Sequence, residues 1–302
     1  MRVVVALGGN ALLTRGERPD DDVQRHHVED AVAALAPLTA DHELIVTHGN
    51  GPQVGVLAIE SAADRALSHP YPLDSLGAET QGLIGYWLAQ ELCNQLPGRD
   101  AVAVVTQTLV DPLDPAFEHP TKFVGPVYDA DESARIAAQR GWDVAADGDR
   151  WRRVVASPEP LEIVEIGTIR RLVESAVVVV CAGGGGIPVV RGNDANLTGV
   201  EAVVDKDLTS ALLATQLDAD ALLLLTDVEG VIRDFGTPTA ELVGEATVGE
   251  LRASGFPPGS MGPKVEAACR FVEQTRGVAA IGALRDAAAI LTGQKGSRVL
   301  AG

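Results

Sequence analysis

The chain has 302 residues, 46% of them hydrophobic, and a formal net charge of -18. It is long enough to bury a large core as one domain or two lobes, and its acidic charge disfavours nucleic acid and anionic membranes as partners. Dense acidic surfaces are also a habit of halophilic proteins, so a salt-rich host is one interpretation of this composition.

The first predicted strand covers residues 3–7, an apolar and β-branched run that ends in Gly8, Gly9 and Asn10. Glycines at a strand end allow positive φ and let backbone N–H groups approach a ligand closely. A helix that follows would aim its first N–H groups and its dipole at the same point. We interpret this turn as an anion-binding site, although glycines after a strand are also ordinary turn residues.

Strands and helices then alternate, which predicts a mostly parallel sheet covered by helices on both faces. The predicted elements are helices at residues 20–40, 52–66 and 76–96 and strands at residues 44–47 and 101–105. The strand at 44–47 ends in His48, Gly49, Asn50 and Gly51, a second turn of the same type, and this repetition favours the anion-binding interpretation. For His48 itself, a packing or turn-bonding role is favoured over that of a catalytic base.

Residues 111–160 break the alternation, because they are rich in proline and contain Trp142 and Trp151. One helix is predicted near residues 131–140. Since the segment has aromatic residues of its own, we interpret it as a protruding insertion and not as a linker. Lys122 lies within it.

Regular alternation returns with predicted strands at residues 177–181, 221–225 and 278–281 and a helix from Asp205 to about residue 217. The glycine run 183–186 is followed by Ile-Pro-Val-Val and not by a helix, so a Rossmann dinucleotide site is disfavoured. Cys181, before this run, is interpreted as a buried strand cysteine and not as a nucleophile.

Lysine is scarce, since only four of the 24 basic residues are lysines. Lys122, Lys206 and Lys264 all lie in loops or at helix starts, where a surface role and a functional role are about equally supported. Lys295, near the end of the sequence, is interpreted as a surface residue. A compact ammonium differs physically from a guanidinium, so the retained lysines are candidates for a task that arginine cannot perform.

The combination of glycine turns and lysines suits phosphoryl transfer. Its transition state spreads negative charge over the phosphoryl oxygens and requires positioned cations and N–H donors. Asp207, next to Lys206, is a candidate to hold the lysines in place or to contact Mg²⁺, and the alternative is an acid in the first turn of a helix. No set of protein metal ligands is predicted.

The three cysteines, Cys93, Cys181 and Cys269, have neither a disulfide framework nor a zinc-type spacing. This pattern is typical of a reducing compartment. The first apolar run is too short for a signal peptide, and no run approaches the ~18 residues of a membrane helix. We therefore expect a cytoplasmic protein without a membrane span.

Eight stretches, spread over nearly the whole chain, together resemble the carbamate kinases of the amino-acid kinase superfamily. They are VVALGGNA (4–11), HGNGPQVG (48–55), TQGLIGYWL (80–88), PTKFVGP (120–126), RRVVASPEP (152–160), CAGGGGIPVV (181–190), GVEAVVDKD (199–207) and GSMGPKVEAA (259–268). Each piece alone is unspecific, whereas the combination is specific. The loop at residues 191–197 has no confident match.

The resemblance implies an α/β fold, a three-layer αβα sandwich with a mostly parallel open sheet and a protruding insertion subdomain. It implies one domain, 1–302, with an N-terminal lobe (about 1–176) for carbamate or carbamoyl phosphate and a C-terminal lobe (about 177–302) for ATP or ADP. The insertion, about 111–160, would act as a lid. A homodimer is also implied, together with reversible phosphate transfer between ATP and carbamate, run in the family towards ATP during arginine fermentation.

Site residues follow from the same resemblance. The phosphoryl group and carbamate would be bound by Gly8, Gly9, Asn10, Gly49, Asn50 and Gly51. Catalysis would use Lys122, Lys206, Lys264 and Asp207, and Mg²⁺ would accompany the nucleotide. The nucleotide would be bound by Gly184, Gly185, Asp227, Gly230, Val231, Ser260 and Met261.

One departure from the superfamily concerns Ala6, because many relatives carry a lysine at this position on the first strand. Lys122 is the candidate that supplies the missing cation. Two alternatives remain: another small-acid kinase of the superfamily, such as one with acetylglutamate kinase-like chemistry, and a non-catalytic nucleotide or metabolite sensor. The sensor would not need Lys122, and an acetylglutamate-type substrate would need more room beside Gly49.

Overall fold

A computed structural model describes residues 1–14, 16–256 and 261–302, and of Asn10 it describes the backbone only. Ser260, predicted at the nucleotide site, lies outside the described residues. Within them, no helix is both long and apolar enough to cross a bilayer.

The strands of the described residues are numbered here in chain order. The first nine are β1 (Arg2–Leu7), β2 (Glu43–His48), β3 (Ala101–Ala103), β4 (Gln107–Leu109), β5 (Lys122–Tyr128), β6 (Val144–Asp147), β7 (Arg150–Val155), β8 (Glu162–Ile163) and β9 (Val178–Val180). The others are β10 (Ile187–Arg191), β11 (Leu197–Gly199), β12 (Ala221–Thr226), β13 (Ile232–Arg233), β14 (Glu241–Leu242), β15 (Glu245–Thr247), β16 (Val278–Ala283) and β17 (Ser297–Leu300).

The α-helices of the same residues are numbered in the same way. They are α1 (Asp21–Leu35), α2 (Gln53–Ala63), α3 (Leu73–Gln95), α4 (Ala130–Arg140), α5 (Ile166–Glu174), α6 (Lys206–Gln216), α7 (Val248–Ser254), α8 (Met261–Thr275) and α9 (Ala287–Leu291). The helix predicted at residues 20–40 is α1 followed by a 3₁₀ turn, Ala36–Ala40, because Pro37 at its start cannot continue the α-helical hydrogen bonds.

The main sheet has eight strands among the described residues, in the order β15-β17-β16-β12-β1-β2-β9-β3. Its pairs are parallel except β16 with β17. The mostly parallel sheet predicted from the alternation of elements is therefore confirmed. Parallel strands end at a common edge, so the turns after β1, β2, β9 and β12 lie on one side of the molecule.

Each face of this sheet is covered by helices, and the alternation of side chains along β1 explains why. Val4 and Ala6 point into a core shared with α5, α6, α7 and α8. Val3, Val5 and Leu7 point into the opposite core, with α1, α3 and α9. Because successive side chains of a strand point to opposite faces, a strand that is apolar throughout must be buried on both sides.

The insertion forms an antiparallel sheet of its own, β5-β7-β6, together with α4. Its stem belongs to another small sheet, β11-β10-β4-β8, in which β4 and β8 flank the inserted segment. The insertion contacts the rest of the chain through a small apolar cluster formed by Val54, Leu73, Leu76, Val124, Val155 and Val203. Within the insertion, Arg140 and Arg153 lie over the ring of Trp142.

A close approach between two glycines brings α2 against β5. A Cβ at Gly55 would lie 2.6 Å from the Cα of Gly125. Gly125 has φ +74°, a left-handed conformation that other residues rarely adopt. The two backbones therefore touch where the insertion meets α2.

We expect Gly55→Ala to lower the free energy of unfolding by about 1–3 kcal/mol, because the methyl group overpacks this contact. Gly77→Ala is the matched control, since Gly77 also lies inside a helix and a Cβ there would meet nothing within 4 Å. It should raise stability by up to ~1 kcal/mol. Urea unfolding of both variants measures the difference, and equal stabilities would contradict the contact.

Candidate functional site

The turns that follow β1 and β2 touch each other. Leu7 pairs with His48 at the ends of these neighbouring strands, and the Gly49 N–H donates to the carbonyl of Leu7 at 3.1 Å. A Cβ at Gly49 would lie 3.3 Å from the nitrogen of Gly9, so the two turns are too close for a larger residue. A Cβ at Gly9 would lie 3.6 Å from the Cα of Gly51.

A third glycine run, at the end of β9, lies beside the second turn. Gly184 and Gly185 have φ of +64° and +93°, and a Cβ at Gly184 would lie 2.7 Å from Nδ2 of Asn50. The hydroxyls of Thr108 and Thr209 donate to the carbonyl of Gly185 at 2.9 and 3.0 Å. The nucleotide contact predicted for Gly184 and Gly185 stays a prediction, and the fold places Gly184 next to Asn50.

His48 is packed beneath these turns. Its side chain is buried, and Nδ1 lies 2.8 Å from the carbonyl oxygen of Gly49. Burial lowers the pKa of His48 to about 4, so its ring is neutral at pH 7. The geometry matches the packing role that the sequence favoured. Cys181 is likewise buried, and burial raises the pKa of its thiol.

Two lysines meet one buried carboxylate. Lys206 is the first residue of α6, and its Nζ donates to Oδ1 of Asp207 at 2.6 Å. Lys264, in the first turn of α8, donates from Nζ to Oδ2 of Asp207 at 3.1 Å. The Asp207 side chain is only 5% exposed. One aspartate therefore holds two ammonium groups from different helices.

The charge state of this cluster follows from its pKa shifts. Burial by itself would raise the pKa of Asp207, but the ammonium groups of Lys206 and Lys264 outweigh it and lower the pKa to about 2. Burial lowers the pKa of Lys206, and the charge of Asp207 opposes that shift. The cluster thus has more positive than negative charge, which suits an anionic ligand.

Lys122 reaches the same place from the insertion. It is the first residue of β5, and its Nζ donates to Oδ2 of Asp205 at 2.6 Å. Asp205 is the N-cap of α6. Asp205 was predicted as the first residue of this helix but not as a site residue, although an aspartate directly before a helix is a recognisable capping signal.

Lys206 also lies against the second glycine turn. A Cβ at Gly49 would be 3.5 Å from Cδ of Lys206, so the second turn packs on this side chain. The structure therefore brings together Lys122, Lys206, Lys264 and Asp207 next to the turns of β1 and β2. Lys122, Lys206 and Lys264 are more than 50 positions apart in the sequence, and the fold brings them together as expected.

The predicted nucleotide residues lie further along the same edge of the sheet. Asp227 directly follows β12 and accepts a hydrogen bond from the Thr226 hydroxyl at 3.0 Å. A cavity of about 450 Å³ opens beside it. Val231 is fully buried, and its N–H donates to Oγ of Ser297 at 2.7 Å. A Cβ at Gly230 would lie 2.5 Å from the same Oγ. The carbonyl of Val231 accepts from the N–H of Val243 at 2.8 Å, so both backbone groups of Val231 are used within the protein. The contact of Gly230 and Val231 with a nucleotide stays a prediction.

Met261 begins α8, directly after the residues that are not described, and it is partly buried. Its position three residues before Lys264 is one helical turn away from the lysine cluster. The predicted contact of Met261 with a nucleotide therefore remains compatible with the fold and stays a prediction.

Carboxylates of the site are candidates for contact with Mg²⁺. Among residues 1–14, 16–256 and 261–302, no group of three or more His, Cys, Asp or Glu side chains is arranged to hold an ion. Both oxygens of Asp207 accept from lysines. Asp207 therefore organises ammonium groups in this arrangement and is not positioned as a free metal ligand.

The chain is similar to known proteins over most of its length. The sequence model of the Amino acid kinase family matches residues 1–281. A carbamate kinase of Rhizobium meliloti (strain 1021) is 53% identical, with 98% of this chain and 92% of that protein covered. One from Haemophilus influenzae is 48% identical, with 99% and 96% covered. The solved carbamate kinase of Giardia lamblia bound to AMP-PNP is 41% identical, with a TM-score of 0.91 over 100% of this chain and 98% of that one.

Because the pKa of Asp207 is lowered on folding, its contribution to the free energy of unfolding should depend on pH. A carboxylate whose pKa falls from 3.8 to about 2 on folding contributes stability above pH 4 and loses it as the pH falls towards 2. We expect Asp207→Asn to lower the free energy of unfolding by roughly 2 kcal/mol at pH 7. The deficit relative to the unmodified protein should shrink below pH 4.

Asp286→Asn is the matched control, because Asp286 pairs with Lys295, whose side chain is 58% exposed. Such a pair contributes less than about 1 kcal/mol. Urea unfolding of both variants between pH 3 and pH 7 measures the two deficits. An Asp207→Asn deficit that is independent of pH would contradict the assigned charge state.

Proposed function

We propose a carbamate kinase activity from one premise: the chain belongs to the amino acid kinase family and, within it, to the carbamate kinases. The reaction is reversible phosphoryl transfer, ATP + carbamate = ADP + carbamoyl phosphate. The observation that carries the proposal is the meeting of Lys122, Lys206 and Lys264 beside the glycine turns. We further propose that flux runs towards ATP, as in arginine fermentation.

In that direction, a terminal oxygen of the ADP β-phosphate attacks phosphorus directly. The bond between phosphorus and the carbamoyl oxygen breaks, and its electron pair leaves with carbamate, so no covalent enzyme intermediate is needed. The attacking and leaving oxygens are both anionic, and no proton has to move. Catalysis therefore depends on positioning and on neutralising charge.

The lysines supply that charge. One ammonium ~3 Å from a phosphoryl oxygen contributes about 5 kcal/mol at an effective dielectric constant of ~20, before desolvation costs. Lys206 and Lys264 are held by Asp207 and approach from the nucleotide lobe, and Lys122 approaches from the insertion. Lys122 would thus supply the cation that Ala6 cannot, and closure of the insertion over the substrate would bring it into contact with the phosphoryl group.

The glycine turns would bind the transferred phosphoryl group and carbamate through backbone N–H groups, with Gly8, Gly9, Asn10, Gly49, Asn50 and Gly51 as the proposed contacts. The close approach of Gly9 to Gly49 and Gly51 supports a small acceptor. An acetylglutamate-type substrate has a long side chain, which would need room beside Gly49. We place Gly184 with this site as well, because it packs on Asn50.

The nucleotide would lie over the ends of β12 and α8. Its proposed contacts are Gly184, Gly185, Asp227, Gly230, Val231, Met261, and Ser260 in the adjoining segment. Mg²⁺ would arrive bound to the nucleotide phosphates, since both oxygens of Asp207 are engaged by lysines.

Three further assignments belong to the same proposal. We propose a lobe division at about residue 176, with residues 111–160 as the lid.

We propose a homodimer, supported by apolar side chains left exposed on α2 and α3, Ile59, Leu83 and Tyr86. Sedimentation equilibrium would check this oligomeric state. We propose a cytoplasmic location, supported by the cysteines at 93, 181 and 269, which are all free.

The decisive experiment supplies carbamoyl phosphate, Mg²⁺ and ADP and follows ATP formation. Because the net charge is -18, the assay should cover low to molar salt. Acetyl phosphate and N-acetylglutamyl phosphate are the competing donors. Absence of ATP at every salt concentration, with the protein folded, would refute the activity and favour a nucleotide or metabolite sensor. Faster turnover of the acetylglutamyl compound would favour the other small-acid kinase.

Lys122→Ala should lower kcat at least ~100-fold with little change in the KM for ADP, because its charge acts on the transferred group and not on nucleotide binding. Lys295→Ala is the matched control, since this exposed lysine pairs only with Asp286 among the described residues. It should keep the unmodified kcat. Equal kcat values for the two variants would remove Lys122 from the mechanism.

A further inference from the structure

We infer that Asp205 is a positioning residue that docks the insertion onto the start of α6 and so fixes where Lys122 lies. The expected effect on kcat rests on the proposed function, whereas the docking of the insertion by Asp205 does not. Asp205 itself contacts neither glycine turn in this arrangement, and it acts through Lys122.

The two oxygens of the Asp205 side chain have separate tasks. Oδ1 accepts from the backbone N–H groups of Asp207 and Leu208, at 2.9 and 3.3 Å, and so caps α6. Oδ2 accepts from Nζ of Lys122 at 2.6 Å. A single carboxylate therefore links the lysine of the insertion to the helix turn that carries Lys206.

The residues before Asp205 strengthen the same junction. Ala202 forms a parallel bridge with Ala156, and the Val203 N–H donates to the carbonyl of Ala156 at 2.9 Å. Arg153, on β7, donates to Glu201 at 2.6 Å. Residues 201–205 are thus attached to the insertion along their length, and the chain then enters α6 directly.

Asp205 serves both the insertion and the first turn of α6. Lys206 and Asp207 follow Asp205 in the sequence, so the residue that receives Lys122 also sets the first turn of α6. When the insertion is docked, Lys122 lies on the same helix end as Lys206. Without the contact to Asp205, the cap would remain but Lys122 would lose its fixed position.

Asp205→Asn separates the two tasks, because asparagine caps helices as well as aspartate but has no negative charge for Lys122. We expect an unchanged melting temperature and faster hydrogen exchange of the amides of β5 and β7. In the ATP-forming assay, kcat should fall about tenfold, as for one lost charge-assisted hydrogen bond. The KM for ADP should stay within about twofold.

The double variant with Lys122→Ala tests whether Asp205 acts through Lys122. Adding Asp205→Asn to Lys122→Ala should lower kcat no further, since interacting residues give non-additive effects. Asp129→Asn is the control for capping, because Asp129 caps α4 through the N–H of Glu132 and forms no ion pair with any described residue. It should keep the unmodified kcat and exchange rates.

Additive losses of kcat, or unchanged exchange in β5 and β7 for both Asp205→Asn and Lys122→Ala, would overturn the inference. Should Asp205→Asn not fold, the exchange of Lys122→Ala alone decides, because it removes the same contact. Should the unmodified protein form no ATP, the proposed activity fails, and the exchange experiment still decides whether Asp205 docks the insertion.

Discussion

The interaction on which the rest of the site depends is the buried contact of Asp207 with Lys206 and Lys264. Two ammonium groups would repel each other in a weakly polar site, and removing either from water is costly unless a carboxylate compensates. Asp207 compensates one positive charge and leaves the other in excess. The start of α6 and the start of α8 must therefore lie side by side, and one apolar cluster, which includes Ala211 of α6 and Ala267 and Ala268 of α8, joins the two helices.

Glycine provides the complementary constraint on the other side of the site. The turns after β1 and β2 pack on each other and on the stem of Lys206, and Gly49, whose Cβ would lie 3.3 Å from the nitrogen of Gly9, permits that close approach. Backbone N–H groups and ammonium groups are thereby brought to a common edge by two independent parts of the fold, a sheet register and a helix–helix contact. Together they place positive potential at one edge of an otherwise acidic protein.

The sequence was sufficient for the features that depend on local periodicity or on composition. The parallel sheet followed from the alternation of apolar runs, and the lysines were found because so few lysines occur. Contacts between distant residues could not be predicted, because no local signal links Lys122 to Asp205, 83 positions later. For the same reason, the fold and not the sequence brought Gly184 to Asn50. The small sheet that joins β4 and β8 to β10 was also missed, since its strands are two to five residues long.

The scarcity of lysine has a practical consequence for chemical labelling. Lys206 and Lys264 have side chains only 12% and 14% exposed, whereas Lys295 is more than half exposed. Among the four side-chain amines, a reagent such as a succinimidyl ester therefore meets Lys295 first, on a side chain paired with Asp286 and outside the lysine cluster. Coupling at that side chain would attach a fluorophore or support at a point outside the lysine cluster.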